Sequence, residues 1–459
     1  MSGRPPGPGI WQSPFGWVSL GSVALVFLAA LESLAVTTVM PVIAADLDGQ
    51  ALYALAFAGT LATSVIGMVC AGAWADRTGP AVPLSAAVAL FVAGLLVSGL
   101  APDMVTLIVG RLLQGLGAGG MTVSLYVVIA RVYPPALHGR ILAAFAAAWV
   151  LPALVGPFLA GAVTELLHWR WVFLGVVVLA AAAYSLLLPR LSRPELRSAN
   201  DAERVPFLGR LLWAVAVAAG VLVLSVAAES GSGASLLVVV GAVIVVVAIR
   251  PLLPARTLRS GRGLPSVILL RGAVAGAFFS AEIYVPYVFI DLYGFSPIWA
   301  GLALTGAAVM WAAGSEAQGR RGERWSDRRV LGGGLAITVL CLAVVAVGVA
   351  AHLPPVVLIV AWTVGGGGMG LLYPRITMLM LAASTEADQG RNSAALSIAE
   401  ATGAATAIAA AGIIVVALGG GVLGFVGAFA LATVIALVGG IPATRTTAPH
   451  ESRLEHPSR

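Results

Sequence analysis

The chain has 459 residues, of which 59% are hydrophobic and only 10% are charged. Soluble domains carry about 25% charged residues, so this composition excludes a soluble globular protein and indicates a polytopic membrane protein. All 26 basic residues are arginine, and the net charge is +6. In a membrane protein such an excess indicates cytoplasmic loops and no nucleic-acid partner. Two cysteines in apolar runs predict no disulfide framework, and we expect no metal site and no cofactor.

Apolar runs of about twenty residues, enough to cross a bilayer, occur fourteen times along the chain. The predicted fold is an all-α polytopic membrane protein with two six-helix bundles, 17–190 and 264–441, and a two-helix insertion, 211–250. The insertion carries no buried charge, which predicts a lipid-facing hairpin outside the transport pathway. Polar segments separate these parts, and we expect all of them to be cytoplasmic: 1–16, 191–210, 251–263 and 442–459.

The distribution of arginine predicts the orientation in the membrane. With a cytoplasmic N-terminus, the outer loops contain one arginine, Arg170, while Arg111 and Arg375 fall deep within spans. The other 23 lie at the cytoplasmic side or its edge, including Arg271, which we expect to extend its side chain toward water. We therefore predict a monomer in a cell membrane, a bacterial inner membrane, with both termini in the cytoplasm.

The first span carries an acid, Glu32, near its middle. A carboxylate at the centre of a membrane costs about 2.5–3.5 kcal/mol on insertion scales, so such residues face a cavity or a partner. In the fourth span, Arg111 and Gln114 are three residues apart and share a helical face. A buried guanidinium needs an acceptor, which predicts that Arg111 pairs with Glu32 and holds it ionised until substrate or a conformational change weakens the pair.

Two further acids fall inside spans of the second half. Glu282 lies among aromatic residues that include Tyr284 and Tyr287, a setting that suits a protonation site, a cation-binding pocket or a structural acid hydrogen-bonded to tyrosine. Glu400, in the thirteenth span, either faces the same cavity or pairs with Arg375. Candidate residues for coupling to protons are therefore Glu32, Glu282, Glu400 and Arg111, and Gln114, Tyr284 and Tyr287 are candidates for the substrate path.

Tryptophans within spans admit two readings. Core packing explains Trp149, Trp311 and Trp362 at least as well as stacking on a substrate does. We retain them as substrate-path candidates.

The two halves repeat at an offset of about 250 residues. The turn after the second span contains Gly72, Asp76, Arg77 and Gly79, and the matching turn of the second half contains Glu323 and Arg324. Glycine-dense runs, 115–120 and 365–370, fall in both fourth spans, and Gly161 and Gly412 both fall near the ends of fifth spans. Repeated halves around a site in the membrane are typical of alternating-access transporters.

Two local motifs predict moving parts. The Asp76 turn can hold the cytoplasmic side shut through its charge and release it when the halves rock, although a solvated turn explains Arg77 alone. In the fifth span, Gly156-Pro157 predicts a kink and a close approach of another backbone.

The Asp76 turn, the run from Arg111 to Gly120, the Gly156-Pro157 segment and the stretch LESLAVTTVMP at 31–41 together resemble the major facilitator superfamily. The six-two-six arrangement, and the stretch 168–173, are similar to its fourteen-span drug:proton antiporter branch. The resemblance implies two major facilitator bundles, alternating access and proton-driven export of a small amphipathic or lipophilic compound.

The sequence also departs from that branch. Glu32 replaces the usual aspartate, Gly79-Pro80-Ala81 lacks the usual basic residues, and Pro152 and Ala160 replace glycines.

The leading hypothesis is a secondary active transporter that exports its substrate by proton antiport and is not an enzyme. No GxxxxGK[ST] loop indicates a primary pump, and no HExxH motif or nucleophile elbow indicates a hydrolase. Import by proton symport stays open, because direction depends on coupling rather than on fold. A membrane-embedded enzyme or lipid-handling protein is the competing class.

Overall fold

A computed structural model describes residues 9–13, 15–191, 207–227, 234–321, 324–385 and 388–446. Within them, fourteen helical segments are long and apolar enough to cross a membrane, and no described residue is in a β-strand. The all-α polytopic fold is therefore confirmed. Most of the predicted segments 1–16 and 191–210, the end of 442–459 from 447 onward, and Glu323 lie outside the described residues.

The helices follow the predicted six-two-six order. The first bundle contains α1 (Gly16–Asp46), α2 (Tyr53–Thr78), α3 (Ala81–Gly99), α4 (Met104–Val132), α5 (Pro135–Leu166) and α6 (Arg170–Leu191). The insertion contains α7 (Phe207–Ala227) and α8 (Ala234–Ala248). The second bundle contains α9 (Leu264–Glu282), α10 (Tyr284–Asp291), α11 (Pro297–Arg321), α12 (Asp327–Ala350), α13 (Pro355–Ala382), α14 (Gln389–Ala417), α15 (Gly421–Val438) and α16 (Gly440–Ala443).

Glycines set how closely the helices of each bundle approach. A Cβ built on Gly115 or Gly119 of α4 would lie 2.1 or 2.0 Å from a backbone oxygen of α2, Thr60 or Ser64. Gly366 and Gly370 of α13 meet α11 in the same way, each 251 positions after its counterpart, with Cβ distances of 2.0 and 2.2 Å. Backbones this close leave no space for a side chain. The sequence repeat is therefore a structural repeat, in which α11 and α13 correspond to α2 and α4.

This packing predicts that Gly119→Ala destabilises the protein, because the new methyl group must displace the Ser64 carbonyl. Overpacking of this kind costs about 1–3 kcal/mol. Gly175→Ala in α6 is the matched control, since a Cβ there meets nothing within 4 Å. Thermal unfolding in detergent should show a lower Tm for the first variant and an unchanged or slightly higher Tm for the second. Equal Tm values would contradict the close approach of α2 and α4.

The two bundles touch at one side of the membrane. We name the side on which α1 begins and α16 ends the terminal side, and the opposite one the far side. Among the described residues, three hydrogen bonds join the bundles, and all lie in the far half: Tyr53 Oη to Ile283 O (2.5 Å), Ile298 N to Glu165 Oε1 (2.9 Å) and Thr305 Oγ1 to Leu154 O (3.3 Å). The bundles therefore close the far side and diverge toward the terminal side.

Glycines also make the far-side contacts between bundles. A Cβ on Gly161 of α5 would lie 2.7 Å from the Cα atom of Ile298, at the start of α11. A Cβ on Gly412 of α14 would lie 2.4 Å from Cβ of Ala54, near the start of α2. The repeat thus extends to the interface, since α5 meets α11 as α14 meets α2.

The insertion lies at the periphery, as its lack of buried charge predicts. Its first helix, α7, packs against α2 and α14 through side chains such as Val217 and Val221, which are fully buried. Its second helix, α8, packs on α7 and exposes Leu236, Val239 and Val243 on its outer face. The hairpin therefore covers the outside of one seam between the bundles.

Candidate functional site

A buried ion pair joins α1 to α4. Glu32 and Arg111 are 4% and 3% exposed, and Arg111 Nη1 donates to Glu32 Oε1 over 2.5 Å. The same nitrogen donates to Gln114 Oε1 over 2.6 Å, and Arg111 Nε donates to the Ala56 carbonyl of α2 over 3.3 Å. Because one turn of α4 separates Arg111 from Gln114, their side chains lie on the same face of the helix, and Gln114 joins Glu32 as an acceptor for Arg111. The predicted pairing of Arg111 with Glu32 is present.

The acceptors around Arg111 fix its position. A lone charge in this environment costs several kcal/mol, and a well-bonded opposite charge offsets that cost. Besides the carboxylate, Arg111 has an amide oxygen and a backbone carbonyl as acceptors, so its guanidinium keeps two hydrogen bonds while Glu32 moves or takes up a proton. Gln114 is 1% exposed, and its Nε2 atom has no hydrogen-bond partner among the described residues. In this conformation Gln114 therefore orients Arg111 and does not face an open path.

Glu282 occupies a break in the second bundle. It is the last residue of α9, and α10 begins at Tyr284. Pro286 causes the interruption, because it has no N–H to donate to the Glu282 carbonyl four residues earlier and its ring crowds that carbonyl. Across the break, Ile283 accepts the hydrogen bond from Tyr53. The described residues give the partly exposed Glu282 carboxylate neither a hydrogen bond nor an ion pair.

Aromatic rings surround the helix segment that ends in Glu282. Phe278, one turn earlier, stacks on Trp362 with ring centroids 4.7 Å apart and meets Trp311 edge-on at 5.6 Å. Trp311 in turn contacts Tyr373 at 4.8 Å. Trp362 is 1% exposed, so it packs in the core in this conformation, whereas Trp311 is partly exposed. At the offset of 251 between the halves, Trp362 takes the place of Arg111, so the second bundle has no cation there.

Glu400 pairs with a different arginine from the predicted one. Its carboxylate accepts from Arg271 of α9, with Nη2 2.8 Å and Nε 2.9 Å from Oε2. The prediction that Glu400 pairs with Arg375 was wrong. Arg375 instead pairs with Asp327 at the start of α12 (3.3 Å) and donates to the Trp325 carbonyl (2.7 Å). These partners place Arg375 near the terminal side rather than deep in the membrane.

Arg271 does not extend toward water as the sequence predicted. Its guanidinium lies over the Tyr373 ring, 3.5 Å from the centroid, and its side chain is 12% exposed. The tyrosine hydroxyl lies 3.4 Å from Glu400 Oε1 and within electrostatic range of Glu282. Tyr373 therefore contacts Glu400 and lies in the neighbourhood of Glu282. Sequence reasoning missed Tyr373, and it missed Arg271 because an arginine two turns inside a span can also reach the interface.

One residue of the first bundle faces this network. Tyr126 of α4 is 50% exposed and lies within electrostatic range of Glu400 and Arg271. No hydrogen bond bridges them, as expected where the bundles diverge. Trp149 of α5, also predicted on the substrate path, is 49% exposed.

The tyrosines predicted on the path lie at the closed side. Tyr284 is 2% exposed, and Tyr287 is partly buried. Both rings contact Tyr53 of α2, with centroids 5.6 and 4.9 Å apart, and both contact Phe425 of α15. With the Tyr53 hydrogen bond to Ile283, they form an aromatic plug on the far side.

The predicted gating residues divide between the two sides. On the terminal side, Asp76 is exposed and has no ion pair or hydrogen-bond partner within the described part of the chain, while Arg77, Gly72 and Arg324 also lie near the surface. Gly79 ends α2 with a φ of 79°, which a side chain would strain. Toward the far side, Gly156 and Pro157 of α5 contact other helices. A Cβ built on Gly301 of α11 would lie 2.4 Å from the Pro157 carbonyl oxygen.

Comparison with known proteins agrees with this architecture. The sequence model of the Major Facilitator Superfamily matches residues 23–317. A probable multidrug-efflux transporter of Mycobacterium tuberculosis is 29% identical over 454 residues, which cover 94% of this chain and 93% of that protein. An uncharacterized transporter of Schizosaccharomyces pombe is 33% identical over 33% of this chain, a match that spans only 26% of that protein's own length.

Solved structures share the fold at low sequence identity. A POT family transporter in complex with a thioalcohol-conjugated peptide superposes with a TM-score of 0.69 at 16% identity, covering 94% of this chain and 97% of that one. A bacterial homologue of the human lysosomal transporter Spinster, in an inward-facing and unoccupied conformation, gives a TM-score of 0.68 at 15% identity, covering 95% and 98%. The family match, the relatives and the fold agree, and the chain belongs to the major facilitator superfamily.

Proposed function

We propose that the protein is a proton-coupled antiporter that exports a small amphipathic or lipophilic compound from the cytoplasm. The observation that carries this proposal is the buried pair of Glu32 and Arg111 at the centre of the first bundle. A carboxylate held there by one cation can exchange that partner for a proton, and the exchange changes the net charge of the pair in the membrane interior from zero to +1. A transporter needs such a group if substrate movement is to depend on the proton gradient.

The proposed cycle uses the neutralisation of Glu32. While Glu32 is ionised, its bond to Arg111 ties α1 to α4, and those helices keep one arrangement. When Glu32 binds a proton, Arg111 retains Gln114 and the Ala56 carbonyl as acceptors, so the pair separates without leaving an unsolvated cation. Proton binding thus shifts the equilibrium between two conformations by its differential affinity for them.

The second bundle supplies a site for the substrate. Glu282 combines an unpaired carboxylate with the rings of Phe278, Trp311 and Tyr373 nearby. A carboxylate among aromatic rings attracts a lipophilic cation through charge and through the electron-rich ring faces. The name of the mycobacterial relative, a probable multidrug-efflux transporter, supports the same substrate class.

The terminal side is proposed to be cytoplasmic. The arginine excess of the terminal-side loops supports this orientation. The protein then has its cavity open to the cytoplasm, with the Asp76 turn released and the aromatic plug closed. In the opposite conformation, Asp76 would engage the second bundle, and the Tyr53 bond to Ile283 would break.

Two other functions are less well supported. Import by symport would use the same carboxylates. It differs from antiport only in which loaded forms of the protein change the side to which the site is open. A membrane-embedded enzyme or lipid-handling protein does not require a buried ion pair that responds to a proton gradient, and transporters of this superfamily are generally not enzymes.

The test uses inverted membrane vesicles with an acid interior and a panel of lipophilic cations. An antiporter should release protons when a substrate is added, and radiolabelled substrate should accumulate inside as the gradient falls. A symporter should accumulate substrate only when the gradient is reversed. Vesicles from cells that lack the protein are the control. If no compound moved protons in either direction through correctly folded protein, proton-coupled transport would be rejected for that panel.

A further inference from the structure

A basic cavity lies outside the transport site, on the terminal side, where the insertion joins the second bundle. It follows α8 and precedes α9, and the chain returns to it after α16. Its volume is about 330 Å³, and its lining residues are Arg256, Arg259, Ser260, Gly261, Arg262 and Arg445. Four exposed arginines therefore line one small cavity.

The shape of this cavity is fixed by the backbone. Arg256 and Ser260 have φ values of 67° and 50°, a conformation that residues with a side chain rarely adopt. Ser266 Oγ at the start of α9 donates to the Gly261 carbonyl over 2.7 Å. The segment after α16 is tied in as well, because Gly263 N donates to the Arg445 carbonyl over 2.8 Å. These two hydrogen bonds and the two costly backbone angles fix the backbone that carries the arginines.

The charges in the cavity are uncompensated. Within the described part of the chain, none of the four arginines forms an ion pair, and the Arg445 guanidinium donates only to the Ser260 carbonyl, over 3.4 Å. The sequence between 230 and 281 contains no acidic residue that could approach from the same segment. Like charges close together repel, and the residues that the structure describes supply no counter-charge. Arginines that only determine the orientation of the chain in the membrane can lie anywhere in the cytoplasmic loops, whereas these four line one cavity.

We propose that this cavity binds the phosphate group of an anionic phospholipid. Guanidinium groups form paired hydrogen bonds with phosphate oxygens, so several arginines around one concavity are a phosphate site. The site lies beside the start of α9 and the end of α16, and the ends of membrane helices are at the level of lipid headgroups. A bound lipid would link the insertion, the second bundle and the C-terminal end of α16.

The experiment measures lipid retention by native mass spectrometry. Purified protein is exchanged into detergent with phosphatidylglycerol or phosphatidylcholine, and the bound fraction of each lipid is compared. We expect one retained phosphatidylglycerol and about five-fold weaker binding for each arginine removed. The pair Arg256→Gln and Arg262→Gln should therefore weaken retention more than ten-fold, while Arg256→Lys and Arg262→Lys should keep part of it.

A matched control removes the same charge elsewhere. Arg140→Gln with Arg329→Gln takes two exposed arginines from the terminal side, outside the cavity. Retention should be unchanged in this variant, and circular dichroism and Tm should show that all variants are folded. Equal loss in the control and the cavity variants, or equal retention of both lipids, would overturn the proposal.

A second arm identifies the source of the phosphate. Inorganic phosphate and pyrophosphate are titrated against bound phosphatidylglycerol. Retention that persists at millimolar phosphate supports a lipid ligand. Displacement at micromolar phosphate, in the wild type but not in the lysine variant, would overturn the lipid assignment and show that the ligand is a soluble phosphate.

Discussion

Glu32→Gln is expected to abolish substrate-dependent proton release, to the level of vesicles without the protein. Glutamine keeps an oxygen that can accept from Arg111 but cannot take up a proton, so the buried pair loses its response to the gradient. The variant also leaves Arg111 as a buried cation without a counter-charge. Removing one partner of a buried pair costs about 3–5 kcal/mol, and the remaining acceptors, Gln114 and Ala56, should reduce that cost.

The effect on coupling can be separated from the effect on stability. A double variant, Glu32→Gln with Arg111→Gln, removes both charges and should recover most of the lost Tm, because no unpaired ion is left. It should still fail to couple transport to protons. A variant that recovered both properties would show that the pair is structural, and that the coupling group lies elsewhere.

Glu316→Gln is the control for the measurement. Glu316 pairs with Arg320 one turn along α11, and both side chains are more than half exposed. An exposed pair contributes about 0.2–1 kcal/mol at most. Proton release and Tm should therefore match those of the wild type. If Glu32→Gln also behaved like the wild type, Glu32 would have no part in coupling.

Composition and hydropathy were sufficient to predict the fold. A membrane helix must satisfy its own backbone hydrogen bonds, so apolar runs of sufficient length can only be helices. The Glu32 and Arg111 pair could also be predicted, because a buried charge in an apolar span restricts its partners to the few other charges at similar depth. The glycine runs indicated the repeat, and the structure explains them as backbone contacts of α4 with α2 and of α13 with α11.

The second bundle was harder to predict because two arginines could pair with its acids. Depth along a span did not separate Arg375, which pairs with Asp327, from Arg271, which pairs with Glu400. The choice depends on how α9, α13 and α14 are rotated about their axes, and their uniformly apolar sequences give little indication of rotation. The hydrogen bond from Tyr53 to Ile283 could not be predicted either, since it requires a break between α9 and α10 and a contact between the two halves.

Glu282→Gln is expected to weaken binding of lipophilic cations at least ten-fold while it leaves the protein as stable as the wild type, or more stable. The substitution leaves no partner unpaired, because the described residues give the Glu282 carboxylate no hydrogen bond or ion pair. Replacing an unpaired charge near apolar and aromatic groups by an amide lowers a desolvation cost. This stability change is opposite in sign to that expected for Glu32→Gln.

Binding of matched ligands distinguishes the roles of Glu282. A hydrogen bond to a charged group contributes about 1.5–3 kcal/mol, so loss of the carboxylate should weaken a cationic ligand and spare a neutral ligand of the same shape. Isothermal titration or tryptophan fluorescence, with Trp311 beside the site, provides the measurement. Equal weakening of both ligands would indicate a change of shape rather than a lost charge, and no weakening of either would remove Glu282 from the substrate path.

Glu400→Gln completes the comparison, because it leaves Arg271 without its carboxylate. Arg271 keeps the Tyr373 carbonyl at 3.3 Å and the face of the Tyr373 ring, and it lies where the bundles diverge. The loss of Tm should therefore be smaller than for Glu32→Gln.

If protons reach Glu282 through the Tyr373 hydroxyl and Glu400, then Tyr373→Phe and Glu400→Gln should slow proton release several-fold and leave cation affinity within two-fold of the wild type. A loss of cation affinity in either variant, equal to that in Glu282→Gln, would instead assign Tyr373 and Glu400 to the binding site itself.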